Sequence, residues 1–305
     1  MLCYFNWIFR VLTRRGREEM IKIPVVRMEE DNTGCQPAER IGYYMIGTLC
    51  GDYIGSVYEW HNHKSKQFEL FSRNCRFTDD SVMTIATMDA LLNDLDFGLC
   101  YRKWYRKYPD AGYGGSFRAW AADDDSLPYN SWGNGSAMRV SPVGCFYDSL
   151  EQVLAKALES AAVSHNHPEG IKGAQATAAC VYWALHGESQ DSIRRLVAQS
   201  FGYDLNFSLD GIRETYQFDV SCQGSVPQAI VAFLESSDYE DAVRNAISIG
   251  GDSDTIAAIA GGIAEAFYKV IPTYIKKTVM SSLPDEFREV IALFYARCKR
   301  GNLLP

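Results

Sequence analysis

Residues 40–60 read RIGYYMIGTLCGDYIGSVYEW, and this stretch decides the fold class. Its apolar residues recur near helical spacing. Gly47, Gly51 and Gly55 recur every four positions, so they share one face of the helix and let another backbone approach closely. The segment AAIAGGIA at 257–264 is equally rich in small residues. We therefore predict two buried, central helices from these two segments.

The remaining chain also favours helices, and strict alternation of period two is missing throughout. The expected fold class is therefore all-α, in one compact multi-helix domain. Residues 109–147 are rich in Gly, Asn, Ser and Trp without sustained periodicity, so we predict that this region is largely a functional loop. Further helices are predicted at 80–95, 148–163, 170–187, 190–201, 225–235, 238–249 and 284–299.

Composition sets the domain count and the class of partner. The 305 residues are 47% hydrophobic, enough for one large core, and no linker follows residue 38. We expect an N-terminal extension at 1–38 and one domain at 39–305. The net charge of -8 argues against general nucleic-acid binding. Nine cysteines without a CxxC pair indicate reduced thiols and a cytoplasmic protein.

The N-terminal extension begins MLCYFNWIFRVLTRRGREE. Its apolar run precedes the basic cluster, the reverse of a secretory signal, and is shorter than the roughly 20 residues that span a bilayer. One interpretation is a partly ordered arm that packs on the domain, or an artefact of the start site. The other is an amphipathic arm that docks on a membrane surface or a protein partner.

Two acidic segments each stand at the start of a predicted helix. FTDDS at 77–81 precedes the run from Val82, and GGDSDT at 250–255 precedes the helix that begins near Ile256. Either segment alone is typical of helix capping, because Ser, Thr and Asp accept hydrogen bonds from free backbone N–H groups. Together they offer four carboxylates and two threonine hydroxyls, which also suits a cation site.

Four converging carboxylates would need protons or cations. Like charges about 4 Å apart repel by on the order of 4 kcal/mol at an effective dielectric constant of about 20. An all-oxygen set favours hard ions such as magnesium or manganese over zinc, which prefers nitrogen and sulfur. Spacing along the sequence does not show whether the two segments meet.

Two polar segments are candidates for ligand binding. YNSWGNGSAMR at 129–139 suits a phosphate cradle in which Trp132 stacks on a ring, although a glycine-rich turn beneath a core tryptophan is the alternative. SHNHPEG at 164–170 indicates anion or hydroxyl binding, or a hydrogen-bond network at a helix start, because two histidines are sparse metal ligation. Glu59, next to Trp60, is by position alone a surface residue.

With these segments assembled, the chain resembles the ADP-ribosylglycohydrolase family from about residue 39 to 270. The resemblance rests on five motifs in order: GxxxGDxxGxxxE from Gly47 to Glu59, FTDDS, GNGSAMR at 133–139, SHNHPEG and GGDSDT. Each motif is weak by itself, whereas the ordered set is highly specific.

The resemblance implies an all-α fold with a binuclear magnesium centre in a cleft, with manganese as the alternative ion. Glu59 matches the family's mobile acidic residue beside the metals. The implied metal ligands are Thr78, Asp79, Asp80, Asp252, Asp254 and Thr255. The positions implied to hold the diphosphate and ribose are Ser131, Trp132, Gly133, Asn134 and His165.

The resemblance also implies a hydrolase that removes ADP-ribose from ADP-ribosylated protein. The proton acceptor for the attacking water is Glu59 or one of the aspartates Asp79, Asp80 and Asp254, unless Glu59 instead protonates the leaving atom. An arginine linkage is favoured. The alternatives are a serine or acyl linkage, another ribosyl metabolite, or a non-catalytic ADP-ribose or partner-binding module acting through residues 1–38.

The loops at 61–76 and 109–128 are expected to contact the group that leaves. Tyr113, Trp120 and the run at 123–125 are candidates for contact with a guanidinium. An exposed acidic loop is the other interpretation of that run.

Overall fold

The computed structural model describes residues 4–12, 18–26 and 45–300. Residues 45–300 form a domain of helices connected by loops, and residues 4–12 and 18–26 form two strands. The strands are β1 Tyr4–Leu12 and β2 Glu18–Val26. The helices are α1 Gly47–Gly55, α2 Asp79–Asn93, α3 Phe97–Lys107, α4 Gly115–Ala122, α5 Gly135–Met138, α6 Ser141–Phe146, α7 Leu150–Ala162, α8 Pro168–Leu185, α9 Gln190–Phe201, α10 Leu209–Ile212, α11 Cys222–Leu234, α12 Tyr239–Ser248, α13 Ser253–Tyr268, α14 Thr273–Ser282 and α15 Asp285–Arg300.

The predicted all-α fold is confirmed for residues 45–300, and each predicted helix is present there, although the helix predicted from the segment 40–60 extends only from Gly47 to Gly55. The prediction that 109–147 is largely loop was wrong in part, because α4, α5 and α6 lie within it. These helices have only 8, 4 and 6 residues, so an apolar stripe scarcely repeats along them. The helices α3, α10 and α14 were not predicted either.

A two-stranded antiparallel hairpin, β1–β2, precedes the helical domain, with Phe9 opposite Ile21. The sequence analysis predicted no strand here. Aromatic and β-branched residues, which favour strands, supply the segment's β-propensity. The proposed domain boundary near residue 38 lies outside the described residues.

The central contact of the domain is the antiparallel pair α1 and α13. A Cβ on Gly47 would overlap Gly261 O, one on Gly51 would overlap Ala257 O, and one on Gly55 would lie 2.6 Å from Asp254 Cα. The predicted small-residue face of α1 is therefore confirmed, because only glycine at these three positions lets the backbones of α1 and α13 come so close. Both helices are buried over most of their lengths.

The helices of residues 45–300 lack membrane-spanning character. None within residues 45–300 is long and apolar enough to cross a membrane. The seven cysteines of this part of the chain are free thiols, and six of them are buried.

Candidate functional site

The two acidic segments meet. Antiparallel packing brings the C-terminal end of α1 against the N-terminal end of α13, where Asp254 lies. The Thr255 hydroxyl, in the first turn of α13, donates to Asp80 Oδ2 at the start of α2, over 3.2 Å. Residues 175 positions apart in the chain thus share one site. The N-termini of α2 and α13 both point at the cluster, and their partial positive charge favours carboxylates there.

Asp52 joins α1 to α2, and the sequence analysis missed it. Its carboxylate accepts hydrogen bonds from Thr78 N at 2.9 Å, Thr78 Oγ1 at 2.7 Å and Ser81 N at 3.0 Å, and from the Ser81 hydroxyl. Oδ2 accepts three of these hydrogen bonds and Oδ1 accepts one, so Asp52 orients the first turn of α2. The signal was present as the aspartate of the GxxxGDxxGxxxE motif.

Asp80 has one carboxylate oxygen without a partner. Oδ2 accepts from Thr255 Oγ1, whereas Oδ1 is buried and makes no hydrogen bond to the described residues. A buried carboxylate oxygen left unpaired is costly, so the position suits a bound cation.

Two groups of three carboxylates lie close enough to bind a cation. Within each group, one oxygen from every residue lies within 4.8 Å of the others. The first group is Asp52, Asp80 and Asp254, and the second is Glu59, Asp252 and Asp254. Asp254 belongs to both. Because every donor in this set is an oxygen, the groups fit hard divalent cations.

The electrostatics of the cluster are those of crowded carboxylates. Burial raises the pKa of Asp80 and Asp254 well above the usual value, and the charges of neighbouring aspartates raise it further. Burial also raises the pKa of Asp252 to about 6. Desolvation and the charge of Asp254 raise the pKa of Glu59 to about 8. Without cations, Asp80, Asp254 and Glu59 therefore retain protons at neutral pH, whereas Asp252 is largely ionised.

Asp79 is the partly exposed member of the DD pair. The loop before α4 approaches it, since a Cβ on Gly112 would lie 3.2 Å from Asp79 Oδ1. Gly112 has φ +114, a conformation that other residues rarely adopt. Tyr113 is buried next to this loop, and its hydroxyl has no hydrogen-bond partner in the described residues.

The polar loop at 129–134 borders the acidic cluster. Asn134 Nδ2 donates to Asp252 Oδ2 at 2.7 Å, and Ser131 Oγ accepts from Gly133 N at 3.0 Å. Trp132 is 54% exposed, so the alternative of a turn beneath a core tryptophan is wrong. His165 is buried against this loop, with Nε2 3.5 Å from where a Cβ on Gly133 would be.

The structure does not support two of the guanidinium candidates. Trp120 is buried, and the guanidinium of Arg102 lies 4.0 Å from its ring centroid. Asp124 pairs with Arg106 at 2.6 Å. The exposed run at 123–125 is thus an acidic loop that binds the chain's own arginines.

An exposed aromatic pair lies next to Glu59. Trp60 is 71% exposed and stacks on Phe218, with ring centroids 5.2 Å apart and an interplanar angle of 24°. Lys64 ties their two loops together by donating to Tyr216 O at 2.7 Å and Ile249 O at 2.5 Å. The pair therefore offers a fixed apolar surface beside the acidic cluster.

A solved structure described as an "ADP-ribosylglycohydrolase-related protein complex" has the same fold. The TM-score is 0.66 at 24% sequence identity, over 86% of this chain and 97% of that chain. The protein is thus in the class of all-α proteins with the ADP-ribosylglycohydrolase fold. A family model described as ADP-ribosylglycohydrolase matches residues 36–302, so the chain belongs to the ADP-ribosylglycohydrolase family. It is accordingly a hydrolase of glycosidic bonds.

Curated relatives agree with this assignment. ADP-ribosylhydrolase ARH3 of Homo sapiens is 28% identical, and the match covers 73% of this chain and 84% of the relative. ADP-ribosylarginine hydrolase Tri1 of Pseudomonas putida is 23% identical, over 84% of this chain and 75% of the relative.

Proposed function

We propose that this protein removes ADP-ribose from ADP-ribosylated protein and requires two divalent cations. Magnesium is the preferred ion, and manganese is the alternative. The observation that carries the proposal is the buried, unpaired Oδ1 of Asp80 within a carboxylate cluster that Thr255 and Asp254 complete from a distant helix. Family membership supports ADP-ribose as the group that is released.

The oxygen donors divide into holding and orienting groups. Asp52 orients the first turn of α2, because its carboxylate accepts four hydrogen bonds from Thr78 and Ser81. The residues that would hold the cations are Thr78, Asp79, Asp80, Asp252, Asp254 and Thr255. Two bound cations would offset the charge of the carboxylates and orient the ribose hydroxyls at the reacting carbon.

Glu59 is the proposed acid/base residue. It follows α1 on a loop, lies within reach of Asp252 and Asp254, and is only half-buried, so it faces both the cluster and the open side. A carboxyl group at this place can exchange a proton with the attacking water or with the leaving atom. Asp79, Asp80 and Asp254 support the reaction by holding the cations beside it.

The ligand's diphosphate and ribose are proposed to bind at the polar loop. Ser131, Gly133 and Asn134 supply hydroxyl, backbone and amide groups, and the exposed face of Trp132 can stack on a ring. His165 lies behind the two glycines of this loop.

For the linkage we propose ADP-ribosylarginine. The Trp60–Phe218 pair beside Glu59 supports it, because a guanidinium stacks on aromatic faces and pairs with carboxylates. One relative carries arginine in its printed name.

The decisive experiment is a panel of arginine-, serine- and acyl-linked ADP-ribosyl substrates, each incubated with magnesium, manganese or EDTA. We expect release of ADP-ribose from the arginine linkage with either ion and none in EDTA. Release from another linkage alone would overturn the arginine assignment, and full release in EDTA would overturn the cation requirement. Binding of ADP-ribose without release from any substrate would instead identify a binding module.

We also propose a cytoplasmic location, supported by the free thiols of residues 45–300. A protein partner for residues 1–38 remains a proposal. Deleting these residues and finding unchanged partner and lipid binding would contradict it.

A further inference from the structure

Arg139 is a fully buried cation, and no carboxylate of the described residues pairs with it. Its guanidinium carbon lies 4.2 Å from the ring centroid of Tyr101, and Nη2 donates to Ser160 O at 2.9 Å and Ser164 Oγ at 3.0 Å. The Nε and Nη1 atoms have no partner in the described residues. Because it is 0% exposed, Arg139 acts on the site only through its neighbours, and not as the open cation of a phosphate cradle.

Ser164 connects this cation to a histidine. Its hydroxyl oxygen lies 2.8 Å from His165 Nδ1 and 3.0 Å from Arg139 Nη2. Arginine has donors only, so the serine oxygen accepts from Arg139. The single hydroxyl hydrogen is then free for His165 Nδ1, and the described residues offer it no other acceptor.

The opposite nitrogen of the ring faces the polar loop. His165 Nε2 lies 3.0 Å from the position of a Cβ on Gly135 and 3.5 Å from that of a Cβ on Gly133. Because both residues are glycines, no side chain at these two positions covers Nε2 of His165. When Nδ1 accepts a hydrogen bond from the Ser164 hydroxyl, the neutral ring carries its one proton on Nε2.

We propose that Arg139 and Ser164 act as positioning residues that hold His165 as the neutral tautomer protonated at Nε2. The ring then presents a hydrogen-bond donor at the loop of Gly133 and Gly135. The ligand chemistry that this donor fits is an acceptor-only oxygen, such as that of a phosphate. The identity of the ligand rests on the proposed function: the accepting oxygen would then belong to the diphosphate of ADP-ribose. The tautomer of His165 does not rest on it.

The electrostatics agree with this arrangement. Burial, and next the charge of Arg139, lower the pKa of His165 well below its usual value. A neutral ring therefore persists at neutral pH beside the buried cation. Without Ser164, the neutral ring could protonate either nitrogen, and an Nε2 lone pair would repel a phosphate oxygen.

The tautomer can be measured without ligand or activity. Nitrogen-15 labelling of histidine and long-range proton–nitrogen correlation distinguish a protonated ring nitrogen from an unprotonated one, and the chain has five histidines. The His165 signals are assigned by their absence in His165→Gln. At neutral pH we expect a protonated Nε2 and an unprotonated Nδ1. An Nδ1-protonated or a doubly protonated ring in the wild type would overturn the proposal.

Ser164→Ala tests the hydrogen-bond relay from Arg139 through Ser164 to His165, and Ser160→Ala is its matched control. Both serines are 0% exposed and bond Arg139, but Ser160 does so through its carbonyl, and its hydroxyl pairs with Tyr101. We expect Ser164→Ala to give mixed His165 tautomers and Ser160→Ala to leave the ring unchanged. Unchanged signals in Ser164→Ala, or equal changes in both variants, would overturn the role of Ser164.

Titration with ADP-ribose separates this proposal from the proposed function. We expect binding to weaken about tenfold in Ser164→Ala, the loss of one hydrogen bond to a charged group, with little change in Ser160→Ala. Unchanged affinity in Ser164→Ala would overturn the ligand contact. A wild type with the expected tautomer that fails to bind ADP-ribose would leave the relay standing and overturn the proposed function.

Discussion

Asp52 and Asp80 are buried aspartates of one cluster with opposite surroundings. Asp52 accepts four hydrogen bonds, whereas Asp80 Oδ1 accepts none from the described residues. The four donors on Asp52 fix the geometry, and the unpaired Oδ1 of Asp80 is left for a ligand. The hydrogen bonds that each carboxylate accepts thus distinguish Asp52, which orients α2, from Asp80, which is proposed to hold a cation.

The first prediction concerns Asp254, the carboxylate common to both groups. Asp254→Asn should abolish magnesium-dependent turnover and yet raise the melting temperature in EDTA, because it removes a buried acid with crowded neighbours. A gain of about 1 kcal/mol would raise it by about 2–4 °C. Thermal unfolding in EDTA and in magnesium measures this.

The control for Asp254→Asn is Asp125→Asn, at an exposed position. It should leave turnover, the EDTA melting temperature and the magnesium-induced stabilisation unchanged. If Asp254→Asn were still stabilised by magnesium as strongly as the wild type, the role of Asp254 in holding cations would be wrong.

The second prediction concerns Glu59. Glu59→Gln should keep ADP-ribose affinity but lose at least about 100-fold in turnover, the usual scale for loss of a general acid or base. The amide preserves size and removes the exchangeable proton. Affinity and kcat are measured separately, with the exposed Glu69→Gln on the same loop as the control. Near-normal kcat in Glu59→Gln would contradict the assignment.

Two helices that touch through glycine set the dimensions of the site. Because α1 and α13 run antiparallel at backbone contact, the end of one lies beside the start of the other. Helices with larger side chains at the contact pack about 8–10 Å apart. The stability of this one contact is therefore coupled to the geometry of the carboxylates.

The third prediction tests that coupling. A methyl group in Gly51→Ala would overlap Ala257 O, so the variant should lose about 1–3 kcal/mol of unfolding free energy and most of its turnover. Chemical denaturation and a turnover assay measure the two effects. Gly115→Ala is the matched control, since nothing lies within 4 Å of its added Cβ. Equal stability and turnover in the two variants would contradict the prediction, because the site would then not depend on close contact between α1 and α13.

Across the whole molecule, negative charge opposes an anionic ligand. The net charge is -8, and Arg139, the cation that Ser164 connects to His165, is buried. Attraction must therefore be local, from helix N-termini, neutral hydrogen-bond donors and bound cations. This predicts that ADP-ribose affinity depends on divalent ions more than on ionic strength.

The fourth prediction concerns stability as a function of pH. Glu265 is buried away from the cluster and accepts from Gly47 N at 2.6 Å, and burial raises its pKa from 4.5 to about 7. The folded state thus binds the proton more tightly, so this group's contribution to stability is full below pH 4.5 and declines as pH rises to about 7. The full difference is on the order of 3 kcal/mol.

Glu265→Gln should remove this decline. The variant should match the wild type near pH 4.5 and become the more stable protein above pH 7, because its amide oxygen still accepts from Gly47 without a buried charge. Urea unfolding across this range measures it. A constant difference between the two proteins at every pH would contradict the raised pKa.

The sequence by itself determined the helical fold class, the longer helices and the family. These follow from local signals: apolar spacing marks a helix of several turns, and motifs in order mark a family. It also singled out the glycine face of α1, since close approach needs residues without side chains. It failed for the short helices α4 to α6 and α10 and for the strands β1 and β2, where a periodic pattern is weak, and it also missed α3 and α14.

Only the tertiary structure decided the surroundings of each side chain. It joined Thr255 to Asp80, occupied Asp52 with four donors, buried Arg139 behind Ser164 and covered Trp120 with Arg102. No local pattern encodes these contacts, because their partners come from distant parts of the chain. Whether an acid caps a helix, orients a neighbour or holds a cation depends on those partners.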